Sequence, residues 1–191
     1  MTITCIMDFR SVFLCSNVKL MFFKGIKKKS AQKYIANSLK TIVKPTNGKI
    51  VNLAILVDAS KYDEFPFLNE ISTVFGIKPE SIVVLYYHPD KKIALKFPEK
   101  IFTDTDLGFR GVLKNKSVSE FINMSYDGLL SFYNDDNLLL NLVAVQSKAK
   151  FKIGFLGANE AINDLSIATE LDNIKTFTFE LKKYLSILNK I

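Results

Sequence analysis

The chain has 191 residues, of which 48% are hydrophobic and 24% charged, a composition typical of one globular domain and not of a disordered chain. The net charge of +7 comes from the first 49 residues, which hold ten basic residues and one acidic residue, whereas the remainder holds sixteen basic and eighteen acidic residues. Because the body of the chain is nearly neutral, the net charge excludes a uniformly basic domain. It indicates a basic N-terminal segment.

Residues 1–20 are predicted to be disordered or an upstream extension that has no role in the fold. Their longest fully apolar run, Val12–Cys15, is too short to span a bilayer, and the segment lacks the pattern of a signal peptide. Met21 begins a sensible alternative N-terminus. Both cysteines, Cys5 and Cys15, fall in this segment and, with a single histidine in the chain, favour neither a disulfide framework nor a metal site. A reducing, cytoplasmic location is therefore expected.

Residues 21–49 are predicted to form a basic N-terminal arm and a helix. Ser30 is a good N-cap residue, and apolar residues recur on one face of the helix that would follow it through Leu39. The sequence Pro45–Gly48 then predicts a turn.

Five apolar runs organise the rest of the chain and predict strands. Most residues in each run are apolar, instead of every second one, which is typical of strands covered on both faces, as in parallel sheets. The predicted strands are Val51–Val57, Ile82–Tyr87, Leu129–Tyr133, Phe151–Leu156 and Leu165–Ala168. Helix-like segments follow most of them. The predicted fold class is therefore α/β: an open, mainly parallel sheet of Rossmann-like or flavodoxin-like type with helices on both faces, formed by residues 50–191 as a single domain.

The predicted helices alternate with these strands. They are a helix from Phe67 through Phe75 that ends at Gly76, a short helix Ser117–Met124, an apolar helix Leu138–Gln146 and a C-terminal helix capped by Asp172. The long connection between residues 88 and 116 is expected to hold an edge strand or a functional lid, and only Gly108–Leu113 within it resembles a strand.

Polar residues follow the predicted strands, at the edge where ligands bind in open parallel sheets. A mainly acidic edge of this kind suits an amine, a cation or sugar hydroxyls better than a bare phosphate. The candidate ligand-binding residues are Asp58, Ser60, His88, Asn134, Asp135, Asp136, Asn137, Asn159 and Glu160.

Each of these candidates also has a purely structural explanation. The Asp135–Asn137 segment can cap the helix that follows it, Asp58 can form a turn, and His88 before a proline can be an exposed turn residue. Asp104 and Asp106 resemble a carboxylate pair but can equally be solvated loop residues.

The chain lacks the motifs of several enzyme classes. The sequence contains neither a glycine-rich dinucleotide loop nor a P-loop after the first strand, and no serine lies in a nucleophile elbow. An enzyme that uses carboxylates, Asn and Lys stays open, with Asp58, Asn134, Asp135 and Asp136 around a sugar or nucleotide.

A lysine cluster precedes the domain. It could place rings and ammonium groups at an anionic membrane or on nucleic-acid phosphates, or it could be a solvated tail. The residues of this candidate contact are Phe22, Phe23, Lys24, Lys27, Lys28 and Lys29.

Particular segments of the sequence resemble two known groups of proteins. The segment Tyr126–Asn137, running into Ser147–Gly154, together with the closing Glu180–Ile191, resembles small uncharacterised proteins of Bacteroidetes. This resemblance covers Met21 to Ile191 and implies no activity. The segment Asp127–Gly154 is also similar to the N-terminal half of heptosyltransferase-type glycosyltransferases, which implies a Rossmann-like sheet but not their activity, because such enzymes bind the sugar donor in a second domain.

Three functions are consistent with these observations. The leading hypothesis is a soluble, cytoplasmic, non-catalytic Rossmann-like domain that binds a partner or small ligand at the carboxyl edge of its sheet. The alternatives are the carboxylate enzyme and a basic arm that tethers the domain to an anionic membrane or to nucleic acid. The sequence specifies no cofactor and no particular partner.

Overall fold

A computed structural model describes residues 9–41, 48–62, 65–97 and 100–191, with side chains from Phe23 onward. Within these residues, six strands form one sheet in which every neighbouring pair is parallel. The strands are β1 (Leu53–Asp58), β2 (Val83–Tyr87), β3 (Ile101–Phe102), β4 (Gly128–Phe132), β5 (Phe151–Phe155) and β6 (Leu165–Ile167).

Helices cover both faces of this sheet. They are α1 (Phe9–Leu39), α2 (Leu68–Phe75), α3 (Lys91–Ala94), α4 (Lys116–Asn123), α5 (Leu138–Gln146) and α6 (Ile174–Ile187). One core cluster joins the sheet to α1, α4 and α5, and another joins the opposite face to α2 and α6. The predicted α/β class, with a parallel sheet between two helical layers, is confirmed.

Burial explains why the apolar runs became strands. All residues of β1 and β4 are buried, as expected for central strands that pack against helices on both sides. The short strands β3 and β6 lie at the two edges of the sheet, where each pairs with one strand among the described residues.

The strand order is β3-β2-β1-β4-β5-β6. The chain first moves outward from β1 to β3, then returns to place β4 beside β1 and moves outward in the other direction. Loops that leave β1 and β4 therefore diverge, which opens a crevice at their carboxyl ends, where ligands bind in proteins of this topology.

The prediction that a helix begins at Ser30 is wrong. Ser30 lies inside α1, which begins at Phe9, and its hydroxyl donates to the carbonyl of Lys27 instead of capping a helix end. Most residues before Ser30 are compatible with a helix, and the isolated Gly25 does not break it. The predicted turn at Pro45–Gly48 falls largely on residues 45–47, outside the described residues.

Three local predictions between residue 88 and the C-terminus also need correction. The edge strand is confirmed, but at Ile101–Phe102 and not at Gly108–Leu113, where a 3₁₀ turn over Phe109–Gly111 forms instead. His88 is buried rather than an exposed turn residue, because its ring packs near that of Phe97. The cap of α6 is Asn173, not Asp172, since the Asn173 side chain reaches the backbone N–H of Thr176.

Phe132, the last residue of β4, is the centre of an aromatic cluster on the α2 and α6 face. Its ring centroid lies 4.9 Å from that of Phe65, 5.1 Å from that of Phe155 and 6.0 Å from that of Phe177. Edge-to-face contacts of this kind add to the area that the rings bury. The cluster holds the loop after β1 against the carboxyl end of β4.

Candidate functional site

The loop after β1 closes on itself at the crevice. Asp58 is almost fully buried, and its Oδ1 accepts hydrogen bonds from the Ser60 backbone N–H at 2.9 Å and from the Ser60 hydroxyl at 2.6 Å. The carboxylate thus occupies a backbone N–H of the kind that a glycine-rich loop would offer to a phosphate. Asp58 thus forms the turn that was its structural alternative, with the candidate Ser60 as its partner.

A lysine joins the two sides of the crevice. The Lys61 Nζ lies 2.9 Å from the Asn134 Oδ1 and 2.7 Å from the Asp135 Oδ2, so the loop after β1 is linked to the loop after β4. Lys61 and Asp135 both remain partly exposed, so the pair is a weak clamp and not a buried ion pair. The structure thus brings the predicted site residues Asn134 and Asp135 together. They meet at Lys61, which was not among the predicted site residues.

Aromatic side chains cover the position before α2. Phe67 occupies the N-cap of α2 without a side-chain hydrogen bond, and the rings of Tyr62 and Phe65 pack with it around Phe132. Phosphate groups in Rossmann proteins bind at the helix that follows the first strand. In this chain that position is apolar, which removes the standard dinucleotide site.

Residues after β4 are used to begin α5. The Asn137 Oδ1 accepts from the backbone N–H groups of Leu139 and Leu140, as predicted for a cap. Asp136 accepts from the amide of Asn141, whose Oδ1 in turn accepts from the hydroxyl of Tyr133. Burial raises the pKa of Tyr133, so its hydroxyl stays protonated as a donor.

Tyr87 and Asp104 form a second polar contact at the carboxyl edge. The Tyr87 hydroxyl donates to the Asp104 Oδ1 at 2.6 Å, and burial together with this bond raises the pKa of Tyr87. Asp106 does not pair with Asp104: its Oδ2 accepts from the Thr103 backbone N–H in a capping box. Tyr87 was not among the predicted site residues, although a tyrosine at the last position of a buried strand is a signal for a hydroxyl at this edge.

A concave site lies beside this contact. It has a volume of about 310 Å³, within the range of small-molecule sites. We call it the lysine groove, and its described lining residues are Lys24, Lys27, Lys28, Asp104, Thr105, Leu107 and Leu139. The groove brings the basic segment and the carboxyl edge, which the sequence presents as separate features, into one site.

The packing of α1 explains why these lysines reach the carboxyl edge. Ala31 and Ile35 are buried in the core, and Lys24, Lys27 and Lys28 lie on the same helical stripe, one or two turns earlier. The lysine-bearing middle of α1 lies beside Leu139 at the start of α5, so the buried stripe of α1 continues beyond the core onto the rim of the sheet.

Phe23 and Lys27 also contact the 3₁₀ turn at Phe109–Gly111. The Phe23 and Phe109 rings meet edge to face at 6.4 Å, and the Lys27 Nζ lies 5.6 Å from the centre of the Phe109 ring. Lys29 is exposed and does not line the groove, and the side chain of Phe22 lies outside the described residues.

The remaining candidates lie apart from the groove. The Nδ1 of His88 accepts from the backbone N–H of Asp90 at 3.0 Å, which gives His88 a role in its own turn. Asn159 lines a separate cavity of about 270 Å³ between α1 and the start of α5, with Asp136 and Asn141. Glu160 is exposed on a 3₁₀ turn.

The described residues form neither a cluster of metal-ligating side chains nor a membrane-spanning helix. Among them, no group of three or more His, Cys, Asp or Glu side chains is arranged to hold a metal ion. None of the helices formed by these residues combines the length and apolarity needed to cross a bilayer.

The fold and groove define an α/β protein of Rossmann-like topology with a basic groove at its carboxyl edge and no standard nucleotide loop. A family model matches residues 27–188, and the chain belongs to this family, the family of unknown function DUF6913. The predicted membership of an uncharacterised family is thereby confirmed, whereas the Bacteroidetes origin and the heptosyltransferase resemblance stay predictions. No curated protein matches the chain, and no solved structure does.

Proposed function

We propose that this protein is a binding domain that takes a small phosphorylated ligand in the lysine groove. The observation that supports the proposal is the convergence of Lys24, Lys27 and Lys28 on one concave site with the Asp104 carboxylate and the Thr105 hydroxyl. Ammonium groups attract a phosphate, while a carboxylate and a hydroxyl suit the hydroxyl groups of the molecule that carries it.

The start of α5 adds to the attraction for an anion. Leu139, in the first turn of this nine-residue helix, lines the groove, so the positive end of the helix dipole lies at the same site as the lysines. Asn137 already satisfies two of the free backbone N–H groups there, and the lysines therefore supply the direct contacts.

Concavity favours a small ligand over a membrane or a nucleic acid. Of the proposed anionic-surface contacts, Phe23 packs partly against Phe109, and Lys24, Lys27 and Lys28 border a groove that also contains a carboxylate. A flat anionic surface would meet Asp104 as a like charge, whereas a small ligand can direct its phosphate to the lysines and its hydroxyls to Asp104.

The proposal is a binding function without a reaction. Asp58, Asn134 and Asp135, which the enzyme alternative requires around a substrate, are engaged in a turn and in the Lys61 bridge. A reducing, cytoplasmic location belongs to the proposal and rests on the placement of Cys5 and Cys15 in the sequence.

Calorimetric titration tests the proposal with ribose 5-phosphate, inorganic phosphate and unphosphorylated ribose. The protein is expected to bind the phosphorylated probes and not ribose. Replacing Lys24, Lys27 and Lys28 together by Gln, which keeps helix propensity, is expected to weaken binding by about tenfold or more.

The matched control changes Lys29, Lys33 and Lys40 to Gln, which removes the same charge from exposed positions on or just after α1. This variant is expected to keep most of the affinity. Equal losses in both variants would show diffuse attraction to the whole basic segment and would contradict a built site.

The tether alternative is tested in the same experiment with anionic phospholipid vesicles and single-stranded RNA. If the basic segment acts as a tether, wild-type protein binds one of these surfaces at low salt and both triple variants lose that binding. Absence of binding to any phosphorylated small molecule, together with such surface binding, would replace the proposed function by the tether.

A further inference from the structure

A second concave surface adjoins the lysine groove. It is an open shelf of about 660 Å³, and its described lining residues are Pro89, Asp90, Lys91, Lys92, Leu95 and Thr105. Thr105 lines both the shelf and the groove, so the two surfaces meet at this residue. A ligand that fills the groove can therefore extend past Thr105 onto the shelf.

The shelf differs from the groove in chemistry. Leu95 is 78% exposed, an unusually open position for a large apolar side chain, and it lies on the shelf with Pro89. Together these side chains offer an apolar surface on which a flat ring can lie. Lys91 and Lys92 provide donors for acceptor atoms at the edge of such a ring.

Hydrogen bonds hold the residues where the two surfaces meet. The Asp90 Oδ1 caps α3 by accepting a hydrogen bond from the backbone N–H of Lys92 at 2.7 Å. The Nδ1 of His88 accepts from the backbone N–H of Asp90. On the other side Tyr87 fixes Asp104, and the Thr103 hydroxyl accepts from the backbone N–H of Thr105. Walls that are already ordered before binding lower the entropy cost of taking up a ligand.

We propose that the ligand of this protein is a mononucleotide, with its phosphate in the lysine groove and its base on the shelf. Along the surface the order is ammonium groups, then Asp104 and Thr105, then the apolar shelf. This order matches the order phosphate, ribose, base along a mononucleotide. The inference rests on the proposed function, because it takes the groove as the phosphate site.

This binding mode differs from that of Rossmann proteins, which bind nucleotides in the crevice where the strand order reverses. In this chain the crevice between β1 and β4 is closed by Lys61 and by the rings around Phe132. The nucleotide instead lies over the carboxyl ends of β2 and β3 and against α1, so its recognition depends on a helix that precedes the first strand.

The test compares ribose 5-phosphate with AMP, GMP, CMP and UMP by calorimetric titration of wild-type protein and of Leu95→Ser. At least one mononucleotide is expected to bind about tenfold or more tightly than ribose 5-phosphate to wild-type protein. Leu95→Ser is expected to remove that difference while the affinity for ribose 5-phosphate stays unchanged. Leu188→Ser, at an exposed leucine just after α6, is the matched control and is expected to behave as wild type.

The outcomes separate this inference from the proposed function. If ribose 5-phosphate binds and no base adds affinity, or if Leu95→Ser leaves the preference intact, the mononucleotide inference fails and the phosphate site stands. If neither ribose 5-phosphate nor any mononucleotide binds, both fail. Because Leu95 is exposed, the variant is expected to unfold at the wild-type temperature, which a thermal melt checks.

Discussion

Asp127 ties the amino ends of the two central strands together. Its Oδ2 accepts from the backbone N–H groups of Val51 and Asn52 at 3.3 and 3.2 Å, and its Oδ1 lies 2.8 Å from the Lys150 Nζ. One carboxylate thereby joins the segments that enter β1, β4 and β5. The hydrogen bond from Lys150, with smaller contributions from these backbone groups, lowers the pKa of Asp127 below its usual value.

This lowered pKa predicts a pH-dependent contribution to stability. The pKa of Asp127 is lower in the folded than in the unfolded chain, so its stabilisation is complete above the ordinary aspartate pKa of about 3.9 and is lost as pH falls through the folded value. Asp127→Asn is expected to lower the free energy of unfolding by about 1 kcal/mol at neutral pH, and the difference from wild type is expected to shrink as the pH falls below about 3.9.

Urea unfolding between pH 7 and about pH 2.5 measures the difference. Glu160→Gln, which removes an exposed carboxylate at the opposite edge of the sheet, serves as the control and is expected to follow the wild-type curve. A constant difference between Asp127→Asn and wild type at every pH would contradict an electrostatic origin.

At the scale of the elements, α1 packs closely against Gly111 of the 3₁₀ turn. Gly111 has a φ of +77°, and a Cβ atom at this position would lie 3.0 Å from the Tyr34 ring and 3.3 Å from Leu142. The Gly111 carbonyl also accepts from the Gln146 side chain, and the neighbouring Arg110 backbone N–H donates to Ser30. The 3₁₀ turn at Phe109–Gly111 is therefore a surface against which α1 packs.

Gly111→Ala is expected to destabilise the protein by about 2 kcal/mol, because the new methyl group meets both backbone strain and the Tyr34 ring. Gly76→Ala is the matched control: Gly76 also has a positive φ, of +64°, but nothing lies within 4 Å of its added Cβ. The control is expected to be destabilised only by the backbone strain of its positive φ, by about 1 kcal/mol.

Hydrogen exchange separates the two effects on α1. Amides of residues 30–39 are expected to exchange faster in Gly111→Ala and at the wild-type rate, after correction for global stability, in Gly76→Ala. Equal exchange of α1 in both variants would show that the turn does not hold the helix.

At the scale of the whole molecule, the prediction for residues 1–20 stays open. Residues 1–8 lie outside the described residues, α1 includes Phe9–Leu20, and the family match begins at residue 27. Side chains of α1 are described from Phe23 onward, and their packing contacts run from Phe23 through Leu39.

A chain that begins at Met21 is therefore expected to keep the fold and the groove. Its midpoint of thermal unfolding and its affinity for ribose 5-phosphate are expected to equal those of the full chain, since every described contact of the groove is retained. Calorimetry of the two chains measures both quantities, and a lower midpoint together with weaker binding would show that residues 1–20 support α1.

Periodicity in the sequence was enough to determine the fold class. The mainly apolar segments that became β1 and β4 could be placed to within a few residues, because a strand buried on both faces carries apolar residues on successive positions. The cap at Asn137 was also predictable, since capping is decided by residues a few positions apart.

Only the tertiary structure decided the site. Lys24 and Thr105 are far apart in the chain, and the groove that they share exists because α1 packs beside α5 with its lysine-bearing turns at the carboxyl edge. In the same way, Tyr87 became a partner of Asp104 because β2 and β3 lie side by side and bring the two residues together at the carboxyl edge. Sequence patterns report the burial of an element on its own, whereas a binding site requires that side chains from several elements meet at one point.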